Sequence, residues 1–308
     1  MPILLEEAKT AKRSILKKGS PLLAKERGLL FRRILKQRGL FTVPLKQVYR
    51  EIDALLKGMA IGEDGFLSRI DLRKIESVIK SRSSVAVRTM QNNLKSSIES
   101  SIKLALKKQN SALKEFGNQG LSEKEINSIA KSHSKSFLKE EFPIKSGVNA
   151  SIRLKNQTLS MRQKIIEQSK KYIQTKDIAQ IRKNIRMALI SESPGATPIK
   201  GGSSLKQMNR IFVAEQTRKV NDAVREGMKK SGEIFVYWRI DPSHPWYGGN
   251  EICEVLANQS SGTTVNKLRD LGISTSSVDL SGLYHISDLP EYPHPFCRCH
   301  QMPSGIYA

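Results

Sequence analysis

SSVAVRTMQNNLKSSIESSIKLALKKQNSALKEF, residues 83–116, is the longest regular stretch in the chain. Its apolar residues recur every three or four positions, and polar residues fill the positions between them. These residues are Val87, Met90, Leu94, Ile98, Ile102, Leu106, Leu113 and Phe116. A stripe with this period lies on one face of an α-helix and suits packing in a helical bundle. The stretch therefore predicts a long amphipathic helix.

Helical patterns also flank this stretch. Further helices are predicted at 48–60, 70–82, 150–173 and 176–190 because each segment repeats apolar residues at helical spacing. After the NQG stop at 118–120, Ser122 can accept a hydrogen bond from the Glu125 amide, and the Glu125 side chain can reach back to Ser122. This capping box predicts the start of another helix.

The pattern changes after residue 204. Residues 205–231 predict a strong helix that ends at Gly232, and residues 233–241, EIFVYWRID, have the apolar and aromatic composition of a β-strand. Prolines and glycines then predict loops, with a short helix beginning near Glu251. Residues 283–303 show no clear periodicity.

These patterns predict a predominantly α member of the α+β class. Long amphipathic helices are followed by a small, irregular α+β C-terminal domain, for which metal binding is one candidate source of stability. The predicted segments are a basic N-terminal helical arm at 1–41, a helical region at 42–190, a linker at 191–204 rich in Pro, Gly and Ser, and a domain at 205–308.

Charge is distributed unevenly along the chain. The net charge is +23, but residues 241–308 have three basic and seven acidic side chains, so residues 1–240 have a net charge of +27. Such an excess favours contact with a polyanion or with an acidic protein surface. A solvated helical surface is the alternative.

Several classes of protein are disfavoured by composition. We expect no transmembrane helix because no apolar run approaches about 18 residues, and no secretory signal because the N-terminus lacks its pattern. Three cysteines are an odd number, which argues against a closed disulfide framework and favours a reducing compartment.

Cysteine and histidine are concentrated near the C-terminus. All three cysteines and four of the five histidines lie between residues 244 and 300. Thiolate and imidazole groups in this number suit zinc, which prefers four such ligands in a tetrahedral arrangement. The candidate ligands are Cys253, Cys297, Cys299, His244, His294 and His300.

The spacing leaves other interpretations open, because the segment has one CxC pair and one isolated cysteine instead of two CxxC pairs. Cys253 can be a small buried residue and CxC a tight turn. Cys253 can also form a disulfide with Cys297 or Cys299. A cysteine nucleophile with His294 or His300 as its base is a further alternative.

Four quoted segments together resemble a known family. These are RIFVAEQTRKVNDAVREGMKKSGEIFVYWRID at 210–241, NEICEVLANQ at 250–259, GLYHISDLP at 282–290 and PHPFCRC at 293–299. They resemble the C-terminal domain of phage minor head proteins, the Mu F-like head morphogenesis family. The resemblance covers about 205–303. It departs from the family pattern at Asn250, where the family has the first cysteine of a pair, and at Phe296, which is usually Asn.

The resemblance implies a non-enzymatic component of the virion head. It would be bound near the portal vertex, with the portal protein and the capsid as partners, and would assist head assembly and DNA delivery. It would reach the virion from the host cytoplasm, and no membrane contact is expected in the assembled head. The basic helices would then face packaged double-stranded DNA without sequence preference.

Two aromatic residues in a Pro/Gly loop, Trp246 and Tyr247, are the candidate interface anchors. For Trp238, which lies within the predicted strand, an interface role and a place in the domain core are both open.

Two rival functions belong to other classes. One is a metal-dependent nuclease or transferase that would use Asp241, His244 and Glu251 beside an ion. The residues do not supply a base, a nucleophile and an electrophilic stabiliser at defined spacings, which disfavours this hypothesis. The other is a free nucleic-acid-binding protein, for which the sequence has no defensible helix-turn-helix.

Overall fold

The computed structural model describes most of the chain in eight continuous ranges and several residues beside them. The ranges are 43–58, 69–115, 117–137, 145–171, 178–190, 204–240, 251–289 and 300–304. The further residues are 32–34, 36, 37, 39, 139, 141, 142 and 306. The predicted basic arm and the predicted linker lie mostly outside these residues, and both stay predictions.

Helices dominate the described residues, and the predominantly α, α+β class is confirmed. The helices are α1 at 43–58, α2 Arg69–Glu115, α3 Glu123–Ser136, α4 Ala150–Lys171, α5 Ile178–Ile190, α6 Ser204–Lys230, α7 Glu251–Asn258 and α8 Gly262–Asp270. The strands are β1 Glu141–Phe142, β2 Lys145–Asn149, β3 Phe235–Arg239, β4 Leu283–His285 and β5 His300–Pro303. A 3-10 turn covers Thr275–Ser277.

The chain divides into two compact units that are discontinuous in sequence. Unit 1 contains the described residues of 1–35, 96–137 and 214–308, and unit 2 contains those of 36–95 and 138–213. Helices α2 and α6 each contribute residues to both units. The predicted domains are consecutive segments, and their limits stay predictions.

Helix α2 is one continuous helix where the sequence patterns predict two. The predicted helix at 70–82 and the quoted stretch at 83–116 form one helix of 47 residues. Most of its predicted stripe is buried, because six positions at helical spacing turn to the same side. The buried stripe residues are Met90, Leu94, Ile98, Ile102, Leu106 and Leu113.

Unit 2 is built from helices with similar stripes. Helix α4 packs against α5, and each presents buried residues three or four positions apart. They are Leu154, Thr158, Met161 and Ile165 in α4, and Ile181, Ile185 and Leu189 in α5. Between α3 and α4, β1 and β2 form a two-stranded antiparallel sheet that the sequence does not reveal. Strand β1 has two residues, and β2 has one large apolar residue, Val148, so neither shows an alternating pattern.

Helix α3 begins at the predicted capping box, which is confirmed. The Glu125 amide donates to Ser122 Oγ at 3.3 Å, and the Ser122 amide donates to Glu125 Oε2 at 2.8 Å. Both contacts satisfy donors that the first helical turn leaves without partners. Towards the end of the helix, His133 Nε2 lies 2.9 Å from Glu226 Oε2 of α6, which links the two helices within unit 1.

A three-stranded antiparallel sheet in unit 1 has the order β4-β3-β5. Strand β3 is central, and it confirms the strand predicted at 233–241. Its residues Phe235, Val236, Tyr237 and Trp238 are all buried, so both faces of the strand are covered. This explains why its sequence is continuously apolar and aromatic instead of alternating. Phe235 and Tyr237 pack with Leu268 of α8 on one face.

Candidate functional site

Strand β5 begins directly after the family-like motif and pairs with the central strand of the sheet. The Cα of His300 pairs with that of Arg239, and Gln301 pairs with Trp238. Because the strands are antiparallel, the last residue of β3 lies opposite the first residue of β5. The segment that follows β3 and the segment that precedes β5 are therefore attached to the same end of the sheet. These two segments contain four of the six candidate metal ligands, together with Trp246 and Tyr247; Cys253 lies in α7, and His300 is the first residue of β5.

Cys253 is the candidate ligand that the structure describes with its side chain. It is buried in the first turn of α7, and α7 packs against β3. His300 begins β5, but its side chain lies outside the description. The other candidates also lie outside the described residues, so the metal and interface assignments stay predictions. They are His244, His294, Cys297, Cys299, Trp246 and Tyr247. Within the described ranges, no group of three or more His, Cys, Asp or Glu side chains is placed to hold a metal ion.

Gly282 fixes the contact between α7 and the sheet. It has a φ of +72°, and a Cβ there would lie 2.6 Å from Trp238 O and 2.8 Å from Ala257 O. The Trp238 amide donates to Gly282 O at 2.7 Å, and the Gly282 amide donates to Gln259 O at 3.1 Å. Only glycine fits both this backbone conformation and this space. The close approach seats α7, and therefore Cys253, beside the strand.

The middle of α6 is polar although it is buried. Five consecutive side chains, Glu215, Gln216, Thr217, Arg218 and Lys219, are almost completely covered. Arg218 Nη2 donates to Glu215 Oε2 at 3.0 Å, which forms an ion pair inside unit 1. Buried charges are tolerated when they are paired and hydrogen-bonded. The same segment supplies three residues of the family resemblance: Glu215, Thr217 and Arg218.

Lys219 is the most covered cation of this segment. Its side chain is 1% exposed, and its Nζ lies 3.8 Å from Asp222 Oδ2. Burial lowers the pKa of Lys219, while the Asp222 carboxylate acts in the opposite direction. The ammonium group therefore depends on its neighbours in the fold to stay charged.

Gln216 sets the register between α6 and α2. Its Nε2 donates to Ser97 Oγ and, at 3.3 Å, to Ser101 Oγ. The two serines are one helical turn apart, so a shift of either helix would break both contacts. This contact was not found from the sequence. Two sequence features could have indicated this contact. One is the pair of serines beside the apolar stripe of α2, and the other is the polar run EQTRK within α6.

Glu233 ties the last described residues to the start of β3. Its Oε1 accepts from the Ser304 amide at 2.6 Å, from Ser304 Oγ at 2.8 Å and from the Ile306 amide at 3.3 Å. Both Glu233 and Ser304 are buried. The Ile234 amide also donates to Ile306 O at 3.0 Å. The segment after β5 is therefore held by a buried carboxylate.

His285 is a histidine of the C-terminal cluster that the sequence does not single out. Its Nδ1 accepts from the Ser287 amide at 3.2 Å, which requires that nitrogen to carry no proton. Lys267 Nζ lies 3.2 Å from the same atom and 2.9 Å from Asp288 Oδ1. Burial and then the Lys267 charge lower the pKa of His285, whereas Asp288 acts in the opposite direction. A neutral His285 stabilises the turn after β4, which is a structural role.

In unit 2, a carboxylate joins α1 to α5. Arg182 donates from Nε to Asp53 Oδ1 at 2.7 Å and from Nη2 to Oδ2 at 3.1 Å. Lys57 Nζ lies 3.4 Å from the same carboxylate. The Arg182 hydrogen bonds are the main reason why the pKa of Asp53 is lowered, and partial burial opposes them. The α1–α5 seam, meaning Tyr49, Asp53, Arg182 and Arg186, is therefore an ordered element of unit 2.

Comparison with protein-family models, curated proteins and solved structures yields no match for this chain. No helix in the described part of the chain combines the length and the apolar composition needed to cross a membrane.

Proposed function

We propose that this chain is a phage minor head protein that is bound near the portal vertex and assists head assembly and DNA delivery. In this proposal it has no enzymatic activity. The observation that carries it is the closing motif PHPFCRC at 293–299 after the helix-strand unit at 210–241. The fold supports the proposal because β5, which directly follows the motif, pairs with β3 of that unit. Two of the segments that resemble the family, 210–241 and 282–290, thus contribute strands β3 and β4 to the sheet that β5 joins.

In the proposed arrangement, the loop after β3 docks on the portal or the capsid through Trp246 and Tyr247. Large aromatic side chains are common binding anchors, and truncation of such an anchor typically weakens binding by about 2 kcal/mol or more. Deleting 205–308 would be a poor test because it removes α6, whose Gln216 contacts α2 within unit 1. Point variants of the full chain avoid this problem.

The full-length Trp246→Ala/Tyr247→Ala variant should be incorporated into heads at a level reduced by at least about tenfold. The matched control is Val85→Ala/Leu159→Ala, which truncates two exposed apolar side chains of unit 2. We expect the control to be incorporated like the parent. Quantitative mass spectrometry of purified heads measures both. Equal incorporation of the two variants would show that the docking surface lies outside this loop. Absence of the parent chain from heads would contradict the proposed function.

We also propose that zinc holds the segments at the common end of the sheet. The ligands would be Cys253, Cys297 and Cys299 with one histidine from His244, His294 and His300. Cys253 fits this role because it is buried in α7 beside β3, and both remaining segments are attached at one end of β3 and β5. A structural zinc with four such ligands would stabilise a segment that is poor in apolar residues.

Freshly purified, reduced protein should contain about one zinc ion per chain. Cys297→Ser/Cys299→Ser should lose that zinc, since thiolates supply most of the binding. A matched Ser276→Ala/Ser277→Ala variant, in the 3-10 turn, should keep it. Elemental analysis by mass spectrometry gives the metal content. Metal-free protein with three reduced thiols would support simple packing, and a mass lower by two hydrogens would support the disulfide.

A further inference from the structure

The α1–α5 seam is flanked by exposed cations. Tyr49 lies one turn before Asp53, and Arg186 lies one turn after Arg182. Burial and Asp53 raise the pKa of Tyr49, whereas Arg186 and Arg182 act in the opposite direction, so both guanidinium groups are near the phenol. The Asp53–Arg182 ion pair, together with the electrostatic influence of Arg186 on Tyr49, indicates that the two helices run antiparallel along the seam.

Four cationic side chains lie along the exposed side of the α1–α5 seam. Lys46 and Arg50 are one turn apart on α1, and Lys183 and Arg186 are three residues apart on α5. All four side chains are exposed, and none forms an ion pair with a described residue. These four residues together with Tyr49 are named the seam patch.

The nearby carboxylates do not neutralise the seam patch. Glu51 of α1 is paired with Arg82 at 2.8 Å, and Asp53 is paired with Arg182 and Lys57. Helix α5 has no acidic residue between 178 and 190. Among the described side chains, no carboxylate is paired with the seam patch, whose own charge is close to +4.

This arrangement is unfavourable for the isolated chain. Like charges three or four residues apart on a helix destabilise it by a few tenths of a kcal/mol for each pair, and the seam patch has one such pair on each helix. An anionic partner would remove this repulsion. Guanidinium, ammonium and phenol groups are common donors to phosphate oxygens, and such contacts do not read the base sequence.

The composition of the surface favours nucleic acid over a lipid bilayer. Helices that lie on membranes present several large apolar residues beside their cations. Among the described side chains, Val43 is the one large apolar residue of α1 that is exposed, and α5 exposes none. The anionic backbone of a nucleic acid matches this mostly polar face better than a lipid bilayer does.

We propose that the seam patch binds the phosphodiester backbone of duplex DNA without sequence preference. This inference rests on the proposed function, in which basic helices face packaged DNA, and it assigns that contact to particular residues. Arg50 and Arg186 would contact phosphates from the two helices, Lys46 and Lys183 would extend the contact along the strand, and the Tyr49 hydroxyl would donate at the centre.

The test compares two full-length variants with equal loss of charge. The patch variant combines Lys46→Gln, Arg50→Gln, Lys183→Gln and Arg186→Gln. The control variant combines Arg73→Gln, Lys80→Gln, Arg88→Gln and Lys155→Gln, which are also exposed and in unit 2. Circular dichroism verifies that both are folded. Fluorescence anisotropy with a short, mixed-sequence duplex gives the affinity between about 50 and 200 mM salt.

The patch variant should bind at least about tenfold more weakly than the parent at low salt. Its slope of log affinity against log salt should be smaller by about 3 to 4, since each phosphate contact contributes about 0.9. The affinity of the control variant for the duplex should stay within about twofold of that of the parent, because the charges it removes lie outside the seam patch. A duplex of different sequence should give the same result.

Three outcomes would overturn the proposal. Equal losses in both variants would mean that binding follows net charge alone. Unchanged duplex binding by the patch variant, with loss of binding to vesicles of phosphatidylcholine and phosphatidylglycerol, would make the seam patch a membrane contact. If the parent chain does not bind duplex at low salt, the proposed DNA contact is wrong. Incorporation into heads is measured separately, so none of these outcomes decides the docking role.

Discussion

Arg218→Ala is expected to lower the free energy of unfolding of unit 1 by about 3–5 kcal/mol. The substitution removes the guanidinium that donates to Glu215 at 3.0 Å, and both side chains are almost fully buried. Glu215 would then keep a carboxylate charge in the interior with one charged donor fewer. Such a charge is costly because surrounding protein solvates it far less well than water does.

Two further variants separate charge from packing. Lys131→Ala removes an exposed cation from α3 in the same unit and should change the stability by less than about 0.5 kcal/mol. The double replacement Glu215→Met/Arg218→Leu should recover most of the loss, since apolar residues of similar volume can replace a buried pair. Denaturant unfolding followed by tryptophan fluorescence reports on unit 1, whose residue range contains both tryptophans, Trp238 and Trp246. Equal stabilities of the Arg218 and Lys131 variants would contradict the expectation.

Glu233→Ala should destabilise the sheet by a similar amount, about 3–5 kcal/mol. The carboxylate accepts three hydrogen bonds from Ser304 and Ile306, and hydrogen bonds to charged groups contribute about 1.5–3 kcal/mol each. Without the acceptor, two backbone amides and one hydroxyl would stay buried with poorer partners. We expect the loss to begin at β5.

Hydrogen exchange distinguishes a local effect from a general one. In Glu233→Ala, the His300 and Met302 amides of β5, which face β3, should lose protection first, while amides of α3 keep theirs. Glu233→Gln retains one acceptor oxygen and should lose less than half as much stability. Asp270→Ala removes an exposed carboxylate in the same unit and serves as the control. Uniform loss of protection throughout unit 1 would argue against local anchoring by Glu233.

The helices were largely predictable because their signals are local. The spacing of apolar residues within α2 is enough to predict that helix. Four consecutive residues, Ser122 to Glu125, are enough to predict the capping box. Gly232, with a φ of +80°, ends α6 where the sequence predicts. Strand β3 was recognised because it is buried on both faces and is therefore continuously apolar.

Other elements could not be predicted because distant partners determine them. Strands β4 and β5 have three and four residues, too few to show a period, and they form by pairing with β3. Helix α8 has a short and weakly apolar sequence, and its Ser261 cap was not recognised. The buried polar segment of α6 has residue types typical of a surface. Its position inside unit 1 follows from contacts with Ser97 and Ser101, which are more than a hundred residues away in sequence.

The order of strands β4-β3-β5 has a consequence for synthesis on the ribosome. Strand β3 is made first, yet both of its neighbours lie later in the chain. Until β4 and β5 emerge, the central strand has two open edges with apolar and aromatic side chains, which favours aggregation with other nascent chains. A ribosome that stops before residue 300 would release a product with one such edge still open. Binding of a chaperone to β3 during translation would therefore protect the nascent chain until β5 is made.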